Sequence, residues 1–291
     1  MTTMREAIAA GKKLRIVPYK VGSGSATLLR DYIQQETRKK IYILDKNKAL
    51  QEPGRMFLNW GCSNLPVNRY RIVGASPALV ALAAEKSGWF RYLVRESPRS
   101  VEHLPAFTTL ASDAVAMIAD GKTVVARHST TSHSGIGAQV VSGDGVLYSA
   151  DDVKDQSWLK AKLFTEYFHK SQEYRVFVLQ GRVILTRRKR KTNGVEEQTY
   201  SKYIRVHNTG WNYCAVQDDE VPAAVRTAAL AIDRCTGRSS GVVAYDVGYR
   251  ERDGKAVVFE ANTAPGIVGE TVKIIGDSLL DMELPYELDV Y

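Results

Sequence analysis

Near the C-terminal end of the sequence, two carboxylates and an amide stand at a spacing that can hold a metal ion. The runs Gly241 to Val247 and Lys255 to Ala261 read as the strands of a hairpin, with Arg252-Asp253-Gly254 as a three-residue turn. That turn sets Asp246 directly opposite Glu260, and Asn262, two residues further on, faces the same way as Glu260. Two carboxylates and an amide oxygen suit a hard, octahedral cation such as Mg²⁺, which shares its other positions with water and nucleotide phosphates. The alternative is that Asp246 and Glu260 are solvated strand residues.

A second stretch could hold phosphate. Arg127 to Gly137 is an eleven-residue loop with two glycines and five hydroxyl residues, lying between Thr123-Val124-Val125-Ala126 and Ala138-Gln139-Val140-Val141. Strand, polar glycine-containing loop and strand form a flap whose amides can fold over a polyphosphate, and the loop is long for an ordinary hairpin, the competing reading. Arg187-Arg188-Lys189-Arg190-Lys191 concentrates positive charge and is either a solvated strand end or a face toward phosphate or substrate. His128 and His133 have no paired Ser or Cys and acid at triad spacing, so a hydrolase triad is not expected. His169 and His207 read as loop or surface residues, with no HxH or HxxxH pair.

The elements that must position these groups are legible in outline. Residues 12 to 17 and 40 to 45 read as strands flanking a helix at 26 to 38, with Gly22 to Ser25 as a plain loop. Asn59-Trp60-Gly61 is either a turn of a substrate lobe or a buried Trp beside a turn glycine. Ser76-Pro77 has the form of an N-cap followed by proline at the first helical position, opening a helix that runs toward Lys86. A further helix spans Ser112 to Ala119. Leu163 to Phe168, Glu173 to Leu179 and Arg182 to Leu185 read as strands, the last two joined by a Gln180-Gly181 turn, and a helix spans Pro222 to Cys235. No internal repeat or low-complexity segment is present.

With 291 residues, 44% hydrophobic and 25% charged, the chain can bury a sizeable core in two or three lobes. Its longest apolar stretches, such as Ala78 to Ala84, fall well short of the roughly 18 residues that span a bilayer, so no membrane partner is expected. The mixed-charge opening Met1 to Glu6 lacks a secretory h-region, and the three cysteines have no CxxC spacing, which together point to a reducing, cytoplasmic setting. A net charge of +8 favours anionic ligands without choosing among nucleotides, acidic peptides and nucleic acid.

Phe259-Glu260-Ala261-Asn262-Thr263-Ala264-Pro265-Gly266 resembles the metal-binding signature of the ATP-grasp superfamily, as carried by D-alanine:D-alanine ligases and the ligases that add glutamate to ribosomal protein tails. The resemblance covers about residues 80 to 270. It implies an α/β chain of α+β lobes: an N-terminal α/β domain over 1–84, a central lobe with the flap over 85–165, and a C-terminal lobe with the metal site over 166–291. It assigns Asp246, Glu260 and Asn262 to the metal, Mg²⁺ with Mn²⁺ as an alternative. ATP would be held by Lys86, Arg127, Ser134, Gly135 and Gly137 at its phosphates, by the hinge Glu166, Tyr167 and Phe168 at adenine, and by Glu173 at the ribose. Arg127 stands where the family usually has lysine. Arginine keeps the charge and grips phosphate bidentately, but its planar fork is not equivalent to an ammonium.

The function implied is ligation of a carboxylate to an amine, with either substrate acidic or peptidic, through an acyl phosphate. Arg127, Arg175 and Asn262 would act on the reacting groups, and Arg175 is also a candidate structural ion-pair partner. Arg188, Lys189 and Lys202 are further candidates for phosphate or substrate contact. An ATP-grasp kinase using the same apparatus, and a basic nucleic-acid-binding protein with a degenerate ATP site, are the alternatives.

Overall fold

The computed structural model describes residues 2–49, 55–65, 72–131, 135–192, 194, 200–237 and 241–284. Ser134, expected at the phosphates, and His133 lie outside the described residues.

The chain opens with α1 (Met4–Ala9), followed by β1 (Lys13–Pro18), α2 (Gly24–Thr37), β2 (Tyr42–Ile43), α3 (Lys46–Ala49), β3 (Arg55–Trp60) and β4 (Ile72–Gly74). The four strands form a parallel sheet in the order β2-β1-β3-β4. Gly22 to Ser25, read from sequence as a plain loop, instead starts α2: the Ser23 hydroxyl accepts the Ala26 amide at 3.4 Å and caps the helix.

Ser76 caps α4 (Pro77–Ala84) with proline at the first position, as the sequence predicts. The helix then stops. Glu85 takes an extended conformation and its carboxylate accepts the amides of Ser87 and Gly88, opening a second helix, α5 (Lys86–Glu96). Lys86 is therefore the first residue of a helix, and it is buried. β5 (Phe107–Thr108), α6 (Ala111–Ala119), β6 (Val124–Arg127), β7 (Ala138–Ser142), β8 (Gly145–Ser149) and β9 (Leu163–Glu166) complete a second, antiparallel sheet in the order β5-β9-β6-β7-β8.

The third sheet holds β10 (Gln172–Leu179), β11 (Arg182–Lys191), β12 (Trp211–Ala215), β13 (Val243–Arg250) and β14 (Lys255–Asn262), with α7 (Ala223–Cys235) preceding β13 and α8 (Glu270–Leu280) following β14. One core packs α4, α5 and α7 on this sheet through Leu79, Trp89, Phe90, Val225 and Ile232. Another joins α2 and α8 to the first sheet and to Phe177 and Leu179 of the third, so the C-terminal helix returns to the N-terminal strands.

The final hairpin reaches the expected register by a different route. Arg250 pairs with Lys255, which makes the turn one residue longer than the three-residue turn expected, while Asp246 still pairs with Glu260. A β-bulge between Asp246 and Val247 absorbs the difference by placing Phe259 as the extra residue on β14. Without it, the longer turn would carry Glu260 out of line with Asp246. The bulge also re-aims Phe259, so that two adjacent residues, Phe259 and Glu260, line the same cavity.

Candidate active site

A cavity opens between the second and third sheets. It gathers Lys86, Arg127 and Gly135, the segment Glu166, Tyr167 and Phe168 expected at adenine, Glu173, and the carboxylates of Asp246 and Glu260. The roof is made where Val125, Val140 and Tyr167 pack against Tyr203 and Ile204 of the segment leading to β12. A wider cavity adjoins it, walled by α4, by Trp211 and Tyr213 of β12, and by Tyr19 and Gly61 just beyond the carboxyl ends of β1 and β3. Asn262 and Arg175 face this second space. The two cavities share Lys86, Lys189, Val206, Asp246 and Glu260, so they meet at the carboxylate pair.

Each carboxylate already has a cation. Arg175 lies opposite Asp246 in the β10–β13 register and grips it bidentately, Nε to Oδ1 at 2.7 Å and Nη2 to Oδ2 at 2.8 Å. Tyr213 donates to Oδ2 at 2.9 Å. Burial opposes ionisation of Asp246, but Arg175 outweighs it and holds the carboxyl below its usual range. Glu260, with a side chain 29% exposed, pairs with Lys86 at 3.3 Å. Asn262 Oδ1 accepts the Ala264 amide at 3.0 Å, which orients its oxygen and leaves one lone pair. Glu260 and Asn262 thus offer oxygen donors to a hard cation, whereas Asp246 offers only what Arg175 and Tyr213 leave.

Glu173 is buried between two lysines. Lys189, on β11, donates to Glu173 and to the Arg205 carbonyl, and Lys170 stands 3.6 Å from the other carboxylate oxygen. The Lys170 ammonium also donates to the Tyr203 carbonyl at 3.3 Å and lies 5.1 and 5.3 Å from the ring centroids of Tyr167 and Phe259. Burial lowers the Lys170 pKa to about 8, with Glu173 opposing the shift. Burial likewise pushes the Tyr167 phenol up to about 12. Glu166 pairs with Lys122 at 3.4 Å, and the Phe168 amide N–H has no partner among the described residues.

The flap is tied to its surroundings at its base. The His128 amide donates to the Gly137 carbonyl at 2.8 Å, and the Gly137 amide donates to Asp152 at 3.1 Å, so that amide is engaged at the base of the flap, while Gly135 lines the cavity. The Arg127 guanidinium makes no ion pair and donates no hydrogen bond among the described residues, while its carbonyl accepts the Lys162 amide at 2.8 Å. Burial lowers its pKa, and the nearby Glu260 opposes that. The Lys86 amide donates to the Thr130 carbonyl at 2.9 Å, which joins α5 to the flap. Burial alone would raise the Glu85 carboxyl, but hydrogen bonds from the side chains of Thr130 and Ser87 and from the Gly88 and Ser87 amides hold it below its usual value.

The basic run divides among three surroundings. Lys189 enters the site, Arg187 binds Thr271 at 3.0 Å and Glu270 at 3.3 Å on α8, and Arg190 and Lys191 are exposed. Lys202 is also exposed, 5.1 Å from the Tyr203 ring centroid. His207, expected at the surface, is exposed but lines the wider cavity. Asn212 donates to Thr192 at 2.9 Å, which turns its carbonyl toward His207 Nδ1 at 2.7 Å. That assigns the proton to Nδ1 and leaves Nε2 as an acceptor with no partner among the described residues. No sequence signal marked Lys170, Tyr213 or His207 for the site, whereas Lys189 stands among the sequence candidates for phosphate or substrate contact and Phe259 opens the quoted signature.

Solved structures share this arrangement of sheets and helices. The chain is similar to D-alanine–D-alanine ligase from Bacillus anthracis complexed with ATP, with a TM-score of 0.63 and 14% identity over 96% of this chain and 97% of that one. It is also similar to a RimK domain ATP-grasp protein from Sphaerobacter thermophilus, with a TM-score of 0.56 and 15% identity over 92% and 99% of the two chains. The chain has the ATP-grasp fold. Macrocyclase MdnC from Microcystis aeruginosa, bound with precursor peptide MdnA, matches at a TM-score of 0.56 and 12% identity over 93% of this chain and 100% of that one. No family model and no curated protein matches the sequence. In the ATP-grasp fold seen here, among the described residues, no helix is long and apolar enough to cross a membrane, and no group of three or more His, Cys, Asp and Glu side chains could hold a metal.

Proposed function

We propose that the chain is an ATP-dependent carboxylate–amine ligase that works through an acyl phosphate. The observation that carries this reading is the junction of the two cavities at Lys86, Asp246 and Glu260. A nucleotide lying along the narrower cavity, with its base at Tyr167 and Phe168 and its ribose at Glu173, directs its γ-phosphoryl group to that junction. A carboxylate in the wider cavity meets it there.

Mg²⁺ bound through Glu260 and Asn262 would neutralise the terminal phosphates as the phosphoryl group departs. Lys86 and Arg127 supply further positive charge, and the flap meeting Ile204 excludes water. Phosphoryl transfer to the carboxylate oxygen gives an acyl phosphate and ADP. The amine then attacks the carbonyl carbon, phosphate leaves, and the amine proton passes to an acceptor, for which the cavity offers His207 Nε2. The cavity reaches from α4 to the N-terminal sheet, a length that suits a peptidic substrate for either role.

Screening amino acids, acidic peptides and polyamines for ATP-dependent ADP release identifies the substrates. With labelled carboxylate, one ¹⁸O is expected in phosphate for each amide formed, and hydroxylamine is expected to trap a hydroxamate. AMP and pyrophosphate as products, or phosphate without label, would rule out the acyl phosphate. Phosphorylation of substrate without any hydroxamate would identify a kinase.

A further inference from the structure

Asp246 is the residue the sequence assigns first to a metal, yet its carboxylate is the most fully engaged in the site. A carboxylate has about four lone-pair positions. Arg175 Nε takes one on Oδ1, and Arg175 Nη2 and Tyr213 take two on Oδ2. The side chain is only 9% exposed. The pairing is preset by the backbone, because Arg175 and Asp246 are register partners on hydrogen-bonded strands. The guanidinium is held from a third side by the Tyr213 ring, 4.3 Å from its centroid. Parting the two would break a buried, bidentate ion pair and leave each charge without its nearest partner.

Phosphoryl-transfer sites with two metal ions place the second beside the first to share the charge of the phosphates. Here the place beside Asp246 is already taken by a fixed cationic group, the Arg175 guanidinium, paired to that carboxylate. Arg175 makes no hydrogen bond through Nη1 among the described residues and lines the wider cavity. The other half of the site, Glu260 and Asn262 on one face of β14, retains free oxygen lone pairs.

We infer that this site takes one divalent cation, on Glu260 and Asn262, and that Arg175, locked by Asp246, stands where a second would bind. The inference rests on the nucleotide reading of the adjoining cavity. It makes Arg175 a part of the phosphate-facing charge and Asp246 its positioning residue.

Counting bound manganese tests this. The full chain is equilibrated with excess Mn²⁺ and the β,γ-imido analogue of ATP, and bound metal and bound nucleotide are measured by dialysis and by electron paramagnetic resonance. One Mn²⁺ per bound nucleotide, with no spin coupling between ions, is expected, and Asp246→Asn with wild-type circular dichroism is expected to keep that ratio. Two coupled Mn²⁺ per nucleotide in the wild type would overturn the inference, as would loss of the single ion in Asp246→Asn. Absence of bound nucleotide would overturn the reading of the cavity itself, which separates that failure from a wrong metal count.

Discussion

Glu260 faces both cavities and touches Lys86, so in the proposed site its charge would serve the metal and the lysine at once. Glu260→Gln keeps the shape and removes that charge. Turnover at limiting Mg²⁺ is expected to fall by about a hundredfold or more with little change in the urea unfolding midpoint. Wild-type turnover in this variant would remove Glu260 from the metal. Glu173 carries a different burden, because two buried lysines depend on it. Glu173→Gln therefore tests ribose binding with less disturbance than alanine. Loss of a charge-assisted bond of about 1.5–3 kcal/mol should raise the KM for ATP roughly tenfold or more and narrow the preference for ATP over 2′-deoxy-ATP. An unchanged ratio would place the ribose elsewhere.

Lys170 makes a pH-dependent contribution whose sign follows from its burial. Its pKa in the fold is lowered to about 8, against about 10.4 for an unfolded lysine. Between those values the unfolded chain binds a proton that the folded chain does not, so stability rises with pH through this window and is flat with respect to this group below it. Relative to Lys170→Met, the wild type should gain on the order of 3 kcal/mol between about pH 7.5 and about pH 10.5, read by urea unfolding at each pH. A constant difference would show that Lys170 does not titrate there.

At the scale of elements, the flap and the start of α5 form one mechanical unit. Gly135 has φ +77°, and a Cβ there would meet Ile204 Cγ2 at 2.7 Å, across the roof of the narrower cavity. Gly135→Ala is expected to push the flap off the roof and raise the KM for ATP about tenfold, an order set by one to two kcal/mol of lost contact and backbone strain. Adding Ile204→Ala should recover part of that loss, and no recovery would mean that the backbone strain, not the roof contact, is responsible. Glu85 caps α5 and bonds the flap through Thr130. Glu85→Ala should cost about 1 kcal/mol in urea unfolding from the cap.

Across the whole molecule, the first and third sheets are joined where backbones touch. A Cβ on Gly241 would stand 2.3 Å from Gly74 Cα and 2.5 Å from the Ala75 amide nitrogen, atoms that cannot rotate away. Gly241→Ala is expected to destabilise the chain by about 1–3 kcal/mol or more, because the joint must open to accept a methyl group. A thermal midpoint equal to wild type would show that the sheets are free to shift there.

The sequence by itself determined the order of the elements around the site and the facing of Asp246 and Glu260. Those features are local: N-cap and proline spacing at Ser76-Pro77, the strand-loop-strand of the flap, and the pairing within one hairpin all follow from a few consecutive residues. Even there the length of the turn was misjudged, and the bulge at Phe259 restored the register, since a bulge is set by packing against Gly248 and Phe168 and not by spacing. α5 and α8 went unread because one begins without a break in the preceding helical pattern and the other owes its place to α2. Tertiary structure alone decided which cation serves which acid. Asp246 goes to Arg175, Glu260 to Lys86, and Glu173 to Lys189 and Lys170. In a chain with 40 lysines and arginines, charge and periodicity allow many such pairings. Two of these pairs join residues 71 or more positions apart, Arg175 with Asp246 and Lys86 with Glu260, and only the folded distances select them, because ion pairing and desolvation depend on separations of a few ångströms.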